Sequence, residues 1–299
     1  MRIMFIYRIL CGKRMRCTIL VAVLLIGEAT LFSQSSPHIQ LCSTKIVPYP
    51  ERNKIQNPMF STDLTAPNGE RLVYIGARHS NDSIDVQFLD IEKAWEDIRP
   101  TIAFFEGTGV GMWSSAEQAI RGAGEPGLIQ FLAQKDSIPS ISLEPSEQDE
   151  VAYLLTKFNP EQVKLFYTLR VVSEMRQRQN RSEPELRVAA MNVMQRLSKL
   201  KGLENVVRTL EELDAAYRNY WTKPATWSDA PGDWFNPLKS SSETGGVFTN
   251  EINQESSHFR DMNMYSVLAT AVLEGNRVIA VVGRDHVPMQ APALKCALR

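Results

Sequence analysis

The chain has 299 residues, of which 43% are hydrophobic, so it can bury a sizeable core as one large domain or as one domain with an insertion. Its 33 basic residues nearly balance its 34 acidic residues. Because no basic stripe is interleaved with aromatic residues, the composition argues against a nucleic-acid partner.

Residues 1–34 have the pattern of a secretory signal peptide. Basic residues at 13–16 precede an apolar segment at 18–27, and small polar residues follow it. That segment is too short to cross a bilayer comfortably. The pattern predicts an exported protein, periplasmic or extracellular, that begins near Ser35. The alternative is an uncleaved segment that anchors the chain in a membrane, and Met15 is an alternative start.

Residues 35–70 are polar and rich in proline, which predicts an extended N-terminal lead-in. A first α/β half is expected at 71–145. It opens with an apolar strand at 71–76 that is followed by His79. A helix with one apolar face comes next, because apolar residues recur at spacings of four and three. These residues are Ile84, Phe88, Ile91, Trp95 and Ile98.

Two further strands are predicted in this half, and each ends in a carboxylate. The first covers 101–106 and ends at Glu106, and the second covers 138–144 and ends at Glu144. Between them a helical stretch starts at Ser114 or Ser115 and is interrupted at 122–127 by glycine and proline.

Residues 146–223 differ from the preceding α/β segment, because almost the whole stretch has a helical pattern. Helices are predicted at about 146–157, 160–180, 184–200 and 203–221. They form either an all-helical insertion or cap, or connecting helices packed on the sheet.

Residues 224–299 contain a loop and a second α/β half. The loop at 224–257 carries Trp227, Trp234, Phe235 and Phe248, which either line a pocket or fasten the loop to the core. A helix near 259–274 starts beside Arg260, and a strand at 277–283 precedes His286. Alternating strands and helices predict an α/β fold in which two βαβ-type halves form a central, mostly parallel sheet.

Two Gly-x-x-His motifs end the first and last of these strands. They are Gly76-Ala77-Arg78-His79 and Gly283-Arg284-Asp285-His286. The glycine permits a turn that brings the imidazole over the sheet edge, where open α/β sheets bind ligands. Imidazole serves as a general base or as a metal ligand. The alternative is a turn glycine followed by a solvated or core histidine.

Glu106, Glu144 and Arg260 complete the candidate site. A carboxylate that ends a buried strand has to be paired or neutralised, so each is either a site residue or a cap or salt-bridge partner. Arg260, at the expected start of the last helix, is a candidate to stabilise an oxyanion; otherwise it pairs with a surface acid.

Two cysteines lie after the predicted signal peptide, at opposite ends of the remaining chain. In an oxidising compartment, Cys42 and Cys296 are expected to form a disulfide that links the two ends.

Together these motifs resemble the TraB/PrgY/GumN family, which belongs to a broader group with the Tiki metalloproteases, the erythromycin esterases and the ChaN haem-uptake proteins. The resemblance covers residues 71–294. It implies a two-half α/β fold with a site built from His79, Glu106, Arg260 and His286. In the Tiki branch such a site is a divalent-metal peptidase, in the esterase branch a histidine is the general base, and the ChaN branch binds haem.

The expected function is an exported hydrolase, metal-dependent, that cleaves a peptide or a small-molecule ester. His79, Glu106 and His286 would hold Mn, Co or Zn or activate water, with Glu144 as a second ligand or base. The alternative is a protein that binds haem, a metal or a peptide without turnover. A membrane contact is expected only through an uncleaved signal segment.

Overall fold

A computed structural model describes residues 36–299 of the protein, apart from Val110. The predicted signal segment therefore lies outside the described residues. Within the described residues, five strands form one sheet. In chain order, they are β1 (Ser61–Thr65), β2 (Arg71–Ala77), β3 (Ile102–Phe105), β4 (Ser140–Ser142) and β5 (Val278–Gly283).

Four neighbouring strands of this sheet run parallel. The spatial order is β1-β2-β5-β3-β4, and β1 is antiparallel to β2 at one edge. Strand β5 pairs in parallel with both β2 and β3, and β4 pairs in parallel with β3. The predicted α/β fold with a mostly parallel sheet is confirmed. Because parallel strands end at the same edge, the residues that follow β2, β3, β4 and β5 emerge together.

Ten α-helices accompany the sheet within the described part of the chain. They are α1 (Pro37–Ser43), α2 (Val86–Ile98), α3 (Ala116–Asp136), α4 (Glu147–Leu154), α5 (Pro160–Gln179), α6 (Glu183–Leu197), α7 (Leu210–Tyr220), α8 (Ser241–Thr244), α9 (Thr249–Leu273) and α10 (His286–Ala297).

Both faces of the sheet are covered, which explains why β5 is apolar throughout. Ile279 and Val281 face α2 and α3, whereas Val278 and Ala280 face α9 and α10. A strand buried on both faces has a continuous run of apolar residues. On α2 the predicted apolar face is present except at Ile84, which precedes the helix and is exposed.

The predicted extended lead-in is wrong where it forms helices. It contains α1, a 3₁₀ helix at Tyr49–Lys54 and the edge strand β1. The sequence pattern misses β1 because four of its five residues are polar. Backbone pairing with β2, from Ser61 opposite Ile75 to Thr65 opposite Arg71, fixes this strand instead.

The helices α4 to α7 have a hydrophobic core of their own, separate from the two cores on the sheet. Leu154, Phe166 and Leu213 are among its fully buried members. This favours an insertion over connecting helices. The last of the predicted helices starts at Leu210 rather than near 203, because turns occupy the residues before it.

Aromatic residues of the loop at 224–257 are part of this helical core. Trp227, Trp234 and Phe248 are buried, and Trp234 stacks on Trp221 with ring centroids 4.9 Å apart. They fasten the loop to the core, as one of the two interpretations of the sequence proposed.

The last long helix begins ten residues earlier than the sequence predicts, so α9 places Arg260 near its middle. The first part of α9 is polar, and its buried asparagines bind carbonyl groups of the preceding loop. The Nδ2 group of Asn250 donates to the carbonyl oxygens of Asp233 and Asn236 at 2.8 and 2.9 Å. These tertiary hydrogen bonds support a helix start that has no apolar periodicity.

Cys42 of α1 and Cys296 of α10 form a disulfide with a Cα–Cα distance of 5.6 Å. The bond joins the two ends of the described chain across the face of the sheet that α9 covers. Between residues 36 and 299, no helix combines the length and the apolar character that crossing a membrane requires.

Candidate functional site

The residues that follow the four parallel strands meet at one edge of the sheet. Glu106 comes directly after β3, His79 and Glu144 lie two positions beyond β2 and β4, and His286 lies three positions beyond β5. Arg260 reaches the same edge from α9. The structure thus brings all five predicted site residues into one neighbourhood.

Arg260 binds both strand-end glutamates. Its Nε and Nη2 atoms donate to the two carboxylate oxygens of Glu144 at 2.8 and 2.6 Å, and Nη2 also donates to Oε1 of Glu106 at 2.9 Å. Burial alone would lower the pKa of Arg260, but the two carboxylates outweigh it and raise the pKa. The predicted helix-start position of Arg260 is wrong, so no helix N-terminus reinforces its charge.

Glu106 stands at the centre of the site. The backbone N–H of Gly283 donates to its Oε2 at 2.5 Å, and Nε2 of His286 lies 3.4 Å from its Oε1. Burial would raise the pKa of this carboxyl, but His286, Arg260 and the Gly283 amide hold it well below its usual range. Glu106 is therefore an anion that contacts both Arg260 and His286.

A buried chain of hydrogen bonds positions His286. Its Nδ1 lies 2.6 Å from Oδ1 of Asp261, which also accepts from Nε2 of Gln290 at 2.6 Å. The hydroxyl of Tyr74 donates to Oε1 of Gln290 at 3.0 Å. Burial lowers the pKa of His286, but Asp261 and Glu106 outweigh it and raise the pKa to about 10. His286 is therefore a buried imidazolium at neutral pH.

His79 differs from His286 in being accessible, with 77% of its side chain exposed. Its Nδ1 lies 3.7 Å from Oε2 of the buried Glu125, which also accepts a hydrogen bond from the backbone N–H of Ser80 at 3.0 Å. That distance makes the His79–Glu125 contact an ion pair rather than a hydrogen bond. The Glu125 carboxylate raises the pKa of His79.

The glycines of the two motifs allow neighbouring atoms to come close to the backbone, rather than forming the expected turn. Neither of them has a positive φ. A Cβ on Gly283 would lie 3.1 Å from Oε2 of Glu106 and 3.3 Å from Nε2 of His79. A Cβ on Gly76 would clash with the backbone of Arg284 and Phe60. Gly283 thus leaves room for His79 and Glu106 on the same side of the sheet edge.

Several residues of the site carried no predicted role there. Asp261 and Gln290 position His286, and Glu125 pairs with His79. The break in α3 brings Glu125 into place, since Gly124 adopts a φ of 62° there. Tyr49 also interacts with the charges of the site, since burial and the charge of Asp261 raise its pKa to about 12. The glycine-rich interruption of the helical pattern at 122–127 was the sequence feature that could have drawn attention to Glu125.

The predicted metal ligands, His79, Glu106 and His286, each face another charged group of the protein. Within the described residues, no group of three or more His, Cys, Asp or Glu side chains is placed to hold one ion. Both oxygens of Glu106 accept hydrogen bonds, so a cation held by Glu106 and His286 would lie beside the positive charge of the Arg260 guanidinium. If the protein held haem through His286, the imidazole would have to exchange one of its carboxylate partners, Asp261 or Glu106, for the iron.

The free energy of unfolding is expected to fall as the pH rises from about 6.5 to about 10. The pKa of His286 is about 10 in the folded protein and about 6.5 in an unfolded chain. Its stabilising effect is therefore complete below pH 6.5 and is lost as the pH rises through the folded-state pKa. The limiting slope is about 1.4 kcal/mol per pH unit, measured by urea unfolding at a series of pH values. A wild-type stability that stays constant over this range would contradict the assignment.

Comparison with known proteins gives no relative: no protein-family model, no curated protein and no solved structure matches the chain significantly.

Proposed function

We propose that the protein is a hydrolase of ester or peptide bonds in which His79 is the general acid and base. The observation that supports this most directly is an accessible imidazole beside a buried group of charges. His79 is 77% exposed, its Nδ1 faces the buried Glu125, and its Nε2 lies beside Gly283. An accessible histidine that a carboxylate orients is suited to proton transfer.

In this proposal a water molecule attacks the carbonyl carbon of the substrate and gives one proton to Nε2 of His79. The Glu125 carboxylate stabilises the imidazolium that forms. When the bond between the carbonyl carbon and the leaving oxygen or nitrogen breaks, His79 returns the proton to the leaving group. The products are a carboxylic acid and an alcohol or amine, so atoms and charges balance.

Arg260 is the proposed source of positive charge for the oxygen of the attacked carbonyl. Its Nε and Nη2 atoms are committed to Glu144 and Glu106. Nη1 is not part of these bonds and remains for a substrate oxygen. A guanidinium fixed in advance by two carboxylates stabilises developing negative charge without having to reorganise during the reaction.

His286 has a positioning role in this proposal. Both its ring nitrogens face carboxylates, Asp261 on one side and Glu106 on the other, and only 6% of its side chain is exposed. It therefore holds Glu106, and through Glu106 it holds Arg260. The two histidines of the Gly-x-x-His pair thus have different tasks, one with the substrate and one within the protein.

The resemblance to the TraB/PrgY/GumN group supports a hydrolase. It depends on the order in which the two Gly-x-x-His motifs, Glu106 and Arg260 follow one another in the chain. The esterase form, in which a histidine is the general base, agrees better with the contacts of Glu106 than the metal-dependent form does. The disulfide between Cys42 and Cys296 supports an exported protein, because such bonds persist in oxidising compartments.

The test is a screen of ester and peptide substrates with the purified protein, before and after dialysis against a chelator, together with elemental analysis. We expect hydrolysis that survives chelation, with far less than one metal ion per chain. Protein that carries the His79→Gln substitution, purified in the same way, controls for contaminating hydrolases. Activity that disappears on chelation and returns with Zn or Mn would overturn the metal-free form of the proposal. No hydrolysis across the panel would overturn the proposal as a whole.

A further inference from the structure

A second arginine lies in a cleft of the helical insertion, close to the site. Arg170 of α5 lines a cavity of about 280 Å³ between α5 and the 3₁₀ helix at Gly232–Phe235. Its guanidinium lies 5.8 Å from the ring centroid of Phe166. The other α5 residues that line the cavity are one or two helical turns further on, so one face of α5 forms its wall.

Arg170 has no carboxylate of the described residues within ion-pair distance, in contrast to the other arginines near the cleft. Arg178 pairs with Glu174 at 3.1 Å, and Arg176 pairs with Asp229 at 2.6 Å. The side chain of Arg170 is exposed to solvent, yet burial and the charge of Arg260 lower its pKa. A charged side chain inside a concave cleft is expected to touch solvent and still to be surrounded largely by protein.

A short set of contacts links this cleft to the site. Glu150 of α4 accepts hydrogen bonds from the hydroxyls of Tyr167 and Ser256, each at 2.6 Å. Tyr167 lies one helical turn before Arg170 on α5, and Ser256 lies one turn before Arg260 on α9. The charge of Arg260 acts on both Tyr167 and Arg170, so the two arginines lie near each other.

We propose that the cleft at Arg170 binds a carboxylate of the substrate, so that the substrate is an acidic peptide or ester; this rests on the proposed function of the neighbouring site. The planar guanidinium fork matches a carboxylate, and the ring of Phe166 supports it. A singly charged carboxylate suits a cleft that also contains Glu174 and has Glu150 nearby. A doubly charged phosphate would be repelled more strongly by these two acids.

The substrate carboxylate would act as an anchor that fixes the position of the scissile bond. Binding energy gained away from the reacting atoms orients the carbonyl group beside His79 and Arg260. The helical insertion would then determine substrate specificity, while the sheet edge supplies the reacting groups.

The test measures binding rather than turnover, so that its failure and the failure of the hydrolase proposal are distinguishable. The probes are two capped tripeptides, acetyl-Ala-Glu-Ala-amide and acetyl-Ala-Gln-Ala-amide, titrated into the full protein by NMR. We expect the glutamate peptide to bind at least about tenfold more tightly than the glutamine peptide, as for one charge-assisted pair.

Arg170→Gln should abolish this preference. Arg187→Gln, which removes an exposed arginine from α6 of the same insertion, should preserve it and is the matched control. An equal preference in the Arg170→Gln protein, or no binding of the glutamate peptide, would overturn the inference. Inorganic phosphate that binds through Arg170 more tightly than the glutamate peptide would overturn the choice of a carboxylate. Hydrolysis without any preference for acidic substrates would also count against the cleft, whereas Arg170-dependent binding without hydrolysis would count against the hydrolase alone.

Discussion

Replacement of His79 by glutamine is expected to lower kcat/KM by at least about a hundredfold on any substrate that the protein hydrolyses. Proton transfer by a positioned side chain contributes about a hundredfold to ten-thousandfold to such reactions. The stability of the protein should change little, within about 0.5 kcal/mol, because the His79 side chain is 77% exposed. Steady-state kinetics and urea unfolding of the same preparation measure both quantities.

His258→Gln is the matched control for this experiment. His258 lies on α9, and among the described residues no hydrogen bond or ion pair joins it to the carboxylates of the site. We expect the His258→Gln protein to keep wild-type turnover. A His79→Gln protein with turnover within about twofold of the wild type would show that His79 is not the general base.

The partner of His79 provides a second measurement on the same reaction. The Glu125 carboxylate raises the pKa of His79, and a general base acts only when it is deprotonated. Glu125→Gln should therefore shift the acidic limb of the pH profile of kcat/KM to lower pH. A residue that merely supports the fold would lower activity without moving this limb.

Arg260→Met is expected to cost about 3 to 5 kcal/mol of unfolding free energy. The substitution leaves Glu106 and Glu144 without their shared cation, and removal of one member of a largely buried ion pair is costly because the other charge stays mostly shielded from water. The side chains of Arg260 and Glu106 are only 24% and 15% exposed. Urea unfolding at neutral pH measures the change in the midpoint.

Two further variants distinguish this buried cluster from an ordinary surface pair. Arg218→Met breaks the exposed Arg218–Asp214 pair of α7 and is expected to cost at most about 1 kcal/mol. Arg260→Lys retains the charge but loses the planar fork, so its loss should be smaller than that of Arg260→Met and still measurable. Equal small losses for Arg260→Met and Arg218→Met would contradict the central place of Arg260 in the site.

Much of the sheet follows from local sequence. The apolar runs before His79, Glu106 and His286 predict β2, β3 and β5, because a strand buried on both faces has to be apolar along its whole length. The alternation of these runs with helices predicts parallel strands, and parallel strands end at one edge. For that reason the sequence could indicate that His79, Glu106, Glu144 and His286 lie together.

Only the tertiary structure determines which side chains form hydrogen bonds and ion pairs with these residues. Asp261, Gln290 and Glu125 reach the site from α9, α10 and the kink of α3, and nothing in their local sequence indicates which side chain they meet. The start of α9 was missed for a related reason, since its buried Asn250 binds carbonyl groups 14 and 17 positions earlier in the chain.

The difference between the two histidines is the clearest case of what only the tertiary structure decided. The sequence provides two similar Gly-x-x-His motifs at the ends of two neighbouring strands and thereby determines their common location. Packing then encloses His286 between Asp261 and Glu106 and leaves His79 open to solvent beside Glu125. Burial and charge at a site depend on residues far apart in the chain, so a local motif determines where a side chain emerges but not its protonation state or its access to a substrate.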